Sequence, residues 1–114
     1  MYYPEYRTGT VTIDDGESLS DAFVSGGAHF VKVAAPAITS ATLSFQVQLV
    51  RDGMFYDLYD GDGNEVTTGS AFTATRAFLL PWLAGVYAFK VRSGTSASPI
   101  TQSGDDVFTV AVSY

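Results

Sequence analysis

The chain has 114 residues, 46% hydrophobic and 16% charged, with a formal net charge of −6 and no cysteine. A chain of this length and composition suits one globular domain. It can bury roughly two thirds of the surface exposed by its unfolded form, so folding requires neither metal nor disulfide. The absence of thiols excludes zinc–thiolate sites, iron–sulfur clusters and cysteine nucleophiles, and the six scattered cations argue against a nucleic-acid face or docking to an anionic membrane.

Residues 1–8 read as an extended arm. Tyr2, Tyr3 and Tyr6 surround Pro4, which disfavours a helix. There is neither a basic n-region nor an apolar h-region, so a secretory signal is not expected. Tyrosines combine an apolar ring with a polar tip, so the arm either packs on its own domain or reaches a neighbouring subunit.

Residues 9–114 read as a single β-sandwich domain. Residues 10–13 form a first strand, with Val11 and Ile13 inward, closed by Asp14-Asp15-Gly16. A weak strand at 18–24 ends at Gly26-Gly27. Residues 29–34 form a better one, with Val31 and Val33 on one face and Phe30 and Lys32 on the other.

Residues 42–50 alternate most clearly. Leu43, Phe45, Val47 and Leu49 share one face, opposite Ser44, Gln46 and Gln48. Arg51-Asp52-Gly53 makes a hairpin turn, because Asp-Gly accommodates positive φ. Residues 54–59 return, Asp60-Gly61-Asp62-Gly63-Asn64 turns again, and 65–68 begin a short strand.

Threonines and phenylalanines favour strand over helix at 71–80. Residues 81–85 form an apolar loop carrying Trp82. Residues 86–92 place Tyr87, Phe89 and Val91 inward and Lys90 and Arg92 outward. The last strand spans 105–114, with Phe108, Val110, Val112 and Tyr114 on one face. No segment keeps helical spacing over three turns, and the longest apolar run, 77–87, is broken by Pro81 and Gly85. Short strands separated by frequent turns predict an all-β antiparallel sandwich of about eight strands, a jelly roll or a related Greek key.

Candidate chemistry is sparse. Asp60-Gly61-Asp62-Gly63-Asn64 resembles the opening of a calcium loop, and Asp57 can join Asp60 and Asp62 as weak metal candidates. The pattern breaks at Glu65, where an EF-hand needs glycine, and at Ala71, where it needs a bidentate glutamate. The ordinary role of such a stretch is a polar turn, so no cofactor is expected, with calcium the sole alternative. His29 is the only imidazole, and Gly16-Glu17-Ser18-Leu19-Ser20 lacks the setting of a nucleophile elbow, so no enzyme is expected. Trp82, between Pro81 and Gly85, is the best candidate for an exposed anchor.

Several runs carry a resemblance. TVTIDDGESLSDAF at 10–23, the strand at 42–48, FYDLYD at 55–60, and Val91-Arg92-Ser93-Gly94-Thr95 followed by Pro99 together resemble small virion proteins of tailed bacteriophages. The resemblance rests on strand and turn patterns over nearly the whole chain and includes no catalytic signature. It implies a β-sandwich accessory protein of the particle, with capsid cement or decoration the leading post and a tail component next. It further implies a homotrimer bound to the major capsid protein on the capsid exterior, made in the host cytoplasm. Tyr2, Tyr3, Tyr6 and Trp82 are the expected partner-binding residues. A carbohydrate-binding module, with a glycan as partner and calcium assisting, is the alternative.

Overall fold

From Asp106 to Ser113 the side chains alternate between core and surface, with Phe108, Val110 and Val112 fully or almost fully buried. A residue in extended backbone points opposite to its neighbour, so this strand has one dry face. The computed structural model describes residues 6–114. It contains eight strands: β1 (Tyr6–Ile13), β2 (Phe23–Val24), β3 (Phe30–Ala35), β4 (Leu43–Gln48), β5 (Phe55–Asp57), β6 (Arg76–Leu79), β7 (Ala88–Ser93) and β8 (Asp106–Ser113). The described residues include no α-helix, only a 3-10 turn at Pro81–Leu83.

The strands form two four-stranded sheets, ordered β1-β8-β3-β6 and β2-β7-β4-β5. Four antiparallel pairings explain this order. β1 pairs with β8, β2 with β7, β3 with β6 and β4 with β5, as in one long hairpin. Folding that hairpin over itself adds the β3–β8 and β4–β7 pairs, which complete each sheet. The result is a jelly-roll sandwich, as the turn spacing predicts.

The core lies between the sheets. Val11, Ile13, Val31, Val33, Phe108, Val110 and Val112 come from one sheet, and Leu43, Phe45, Val47, Phe89 and Val91 from the other. Each such side chain contributes about 1.5–3 kcal/mol through burial. A slip of one residue would turn a strand's whole apolar set outward, so the core also fixes register.

All strands share the same two ends. At one end lie the starts of β1, β3, β5 and β7, the finishes of β2, β4, β6 and β8, and the β4–β5 hairpin. Contacts between the sheets tie this hairpin end together: Arg7 donates to the Val24 carbonyl, Tyr114 Oη donates to the Ser25 carbonyl at 2.6 Å, and the Gly85 amide donates to the Ala28 carbonyl. The opposite end carries most of the carboxylates. There the Asp15 amide donates to Asp105 and the Gly104 amide donates back to Asp15, clasping two loops.

Several expectations change. Tyr6, Arg7 and Thr8 belong to β1, because all three pair with β8, so the arm does not extend to residue 8. Tyr2 and Tyr3 lie outside the described residues. Residues 65–68 make isolated bridges rather than a strand, and the strand expected at 18–24 contracts to β2. Leu49 is 62% exposed, because β4 ends at Gln48 and the chain turns away from the core. The hairpin turn forms where expected: the Gly53 amide donates to the Val50 carbonyl, and Asp52 adopts a left-handed φ of 61°. Ser44 and Arg92, both assigned to the solvated face, are buried on it. Tyr114 is partly exposed at the hairpin end rather than sealed inside.

Candidate functional site

The outer face of the β2-β7-β4-β5 sheet is polar where the core face is apolar. Pairing aligns Arg92 with Ser44, Lys90 with Gln46, and Gln46 with Asp57. The segment after β5 folds back along the edge of β4, where Tyr59 bridges to Glu65 and Thr67 to Ser44. That fold-back brings a second carboxylate, Glu65, to Arg92.

Arg92 is the centre of the resulting cluster, its side chain 8% exposed. Nη2 donates to Asp57 Oδ1. Nη1 donates to Glu65 Oε2 at 3.3 Å and to Ser44 Oγ at 3.4 Å. Gln46 Nε2 donates to Asp57 Oδ1 at 3.3 Å, and the Ser96 amide donates to both Glu65 oxygens at 3.1 Å. A guanidinium stays charged under such burial, so it needs these acceptors.

The cluster has one closed side and one open side. Glu65 is 13% exposed, whereas Asp57 is 35% exposed. The hydrogen bond from Arg92 holds the Asp57 carboxyl below its ordinary range, assisted by Gln46 and by the Arg92 charge against partial desolvation. On the Glu65 side stands Tyr59, half exposed, its backbone bridged to Glu65 and its hydroxyl 3.3 Å from Ser96 Oγ. Lys90 Nζ lies 4.5 Å from the Phe55 ring centroid on the same face, a cation–π contact. Chemically the site offers one cation held by two carboxylates, a flanking phenol ring and an open carboxylate edge.

The structure separates the residues proposed from sequence. Asp57 is engaged by Arg92. Asp60 Oδ1 accepts the amides of Asp62 and Asn64 at 2.9 and 3.0 Å, which closes its own turn. Among the described residues, no group of three or more His, Asp or Glu side chains is placed to hold a metal ion. Trp82 sits in the 3-10 turn, 43% exposed, next to the buried Leu83. Tyr6 is exposed at the start of β1. His29 is exposed at the hairpin end, whereas Ser18 and Ser20 pair with β7 toward the other end, so they do not come together.

Sequence reasoning missed Arg92 because alternation correctly assigned it to the outer face and could not show what covers that face. The available signal was a lone arginine in the strand expected at 86–92, with two acidic residues, Asp57 and Glu65, eight positions apart in the segments after the β4 hairpin.

Fold and site together define an antiparallel jelly roll with a buried ion-pair cluster on one outer face. No family model matches the sequence, and no curated protein matches it. Among solved structures, the chain is similar to the SPBc2 prophage-derived protein YomS, with 15% identity, a TM-score of 0.54, and coverage of 100% of this chain and 99% of that one. Weaker likenesses are to oxalate oxidase (11% identity, TM-score 0.38, 94% of this chain and 41% of that one) and to the Yersinia pseudotuberculosis-derived mitogen (11%, 0.37, 97% and 86%). At these identities the likeness is one of fold.

Proposed function

We propose that this chain is a non-enzymatic structural protein of a bacteriophage particle, acting as a cement or decoration protein on the capsid exterior. One observation carries the reading: its fold matches that of a prophage-derived protein over the full length of both chains. The sequence resemblance to small virion proteins of tailed phages points the same way. In this reading the chain is a homotrimer that binds the major capsid protein and adds subunit contacts. Its carboxylate-rich end suits a basic capsid surface, where complementary charge speeds and orients docking. Co-sedimentation tests the reading. Purified chain added to heads that lack it is expected to pellet with them and to raise their resistance to heat. Heads that neither bind nor gain stability overturn it.

A second reading has its own observation. The cluster presents the half-exposed ring of Tyr59 on its Glu65 side and the partly exposed carboxylate of Asp57, two groups that suit stacking on a sugar and bonding to its hydroxyls. Glycan arrays with and without calcium test this reading, and no binding in either condition removes it.

A further inference from the structure

Exposed apolar side chains and charge are segregated along this molecule. Tyr6, Val24, Phe30, Leu49, Val50, Met54, Leu79, Trp82 and Tyr114 all surround the hairpin end. Leu49, Val50 and Met54 form its tip and are among the most exposed large apolar side chains. Scattered single apolar residues are ordinary on a surface, but a concentration at one end marks a contact surface.

The charges have the opposite distribution. Of the described carboxylates only Asp52 lies at the hairpin end, where it accompanies Arg7, Lys32 and Arg51. Asp14, Asp15, Glu17, Asp21, Asp60, Asp62, Glu65, Asp105 and Asp106 lie toward the other end.

We propose that the hairpin end is the surface through which copies of this chain meet. The inference deepens the particle reading by naming the self-contact of the homo-oligomer. Two arguments select a second copy as the occupant. The first is charge. A chain of net charge −6 repels its copies, and contact through the end where Asp52 is the one side-chain carboxylate among the described residues keeps the acidic ends apart. Arg51 and Asp52, adjacent at the tip, supply both signs, so the cation of one copy can face the carboxylate of the next around a three-fold axis. The second is area. Given the size of such side chains, the nine expose on the order of 900 Å², comparable to the roughly 800 Å² that each partner contributes to a standard interface.

Sedimentation velocity on the full chain tests the proposal. The wild type is expected to sediment as a trimer at about 10 µM. The double variant L49E/M54E places two carboxylates at the tip and is expected to self-associate about 30-fold or more weakly, with unchanged circular dichroism and melting temperature. Val107→Glu, an exposed site toward the acidic end, is expected to remain oligomeric. If L49E/M54E does not fold, Phe30→Glu on the outer face of the other sheet decides by the same readout. A monomeric wild type at about 100 µM, or an L49E/M54E oligomer as tight as the wild type, overturns the proposal. Capsid co-sedimentation is read separately: a monomer that binds heads overturns this inference and leaves the particle reading standing.

Discussion

Arg92 on β7 and Asp57 on β5 are joined by a hydrogen-bonded ion pair that spans the intervening strand β4. Neither residue's own strand accounts for the contact. It exists because β4 pairs with both neighbours and because the chain after β5 folds back to bring Glu65 onto the same guanidinium. One buried cation thus links β4, β5, β7 and the loop that carries Ser96.

Removing the cation is expected to be costly. Arg92→Ala leaves Glu65, largely buried, without its charged partner, and breaking a buried pair on one side costs about 3 kcal/mol. In a domain of this size that lowers Tm by roughly 15 °C. Asp57→Asn is milder, about 1 kcal/mol, because Asp57 is partly solvated and Glu65 remains to hold Arg92. Urea unfolding of the two variants checks the order: equal losses contradict a cluster centred on Arg92.

Two carboxyls give opposite pH dependences. The folded-state pKa of Asp57 is lowered from 3.8, so its contribution is present above about pH 4 and is lost as pH falls through the lower folded value. That of Asp106 is raised, first by burial and then by neighbouring Asp105, and its Oδ2 is buried without a hydrogen-bond partner. Stability therefore falls as pH rises from about 4 through the raised value, since ionising Asp106 disfavours the folded state. Asp106→Asn is expected to flatten the stability profile in that window, and Asp57→Asn to remove the loss at lower pH. Chemical denaturation between about pH 3 and 7 measures both.

Gly94 should not tolerate a side chain. Its φ is +89°, and a Cβ would stand 2.4 Å from the Ser98 carbonyl oxygen and 2.8 Å from the Ile100 nitrogen. Both are backbone atoms in the loop that presents Ser96 to Glu65. Gly94→Ala is expected to cost about 3 kcal/mol or more, from left-handed strain and the clash together. Thermal melting checks it, and a wild-type Tm in the variant would show that the loop adapts freely.

Tyr114 fastens the hairpin end. Its hydroxyl donates to the Ser25 carbonyl and accepts from Arg7 Nε at 3.0 Å and Nη2 at 2.7 Å. Tyr114→Phe keeps the ring but removes the Ser25 carbonyl's bond and leaves Arg7 only its bond to the Val24 carbonyl, at an expected cost of about 1 kcal/mol. Hydrogen exchange at the Ser25 and Gly26 amides, which both donate to the Tyr87 carbonyl, should accelerate in the variant.

The fold was legible because its main signal is local. Alternation in β3, β4, β7 and β8 identifies which side chains enter the core, and Asp52-Gly53 identifies the hairpin. The cluster was not legible for the opposite reason. Arg92 is far in sequence from Asp57 and Glu65, and only sheet order and the fold-back after β5 unite the three. Leu49 shows the same limit on a smaller scale: its period places it with Phe45 and Val47, but the turn that ends β4 carries it into solvent. The sorting of carboxylates from exposed apolar side chains likewise appears only when strand directions are known.

The proposed role is that of a component of a phage particle. A reconstruction of the purified virion, with quantitation of its proteins, tests that most directly. The proposed role predicts density for this jelly roll at symmetric positions on the capsid exterior, with copy numbers in multiples of three. Purified virions that lack the chain contradict it.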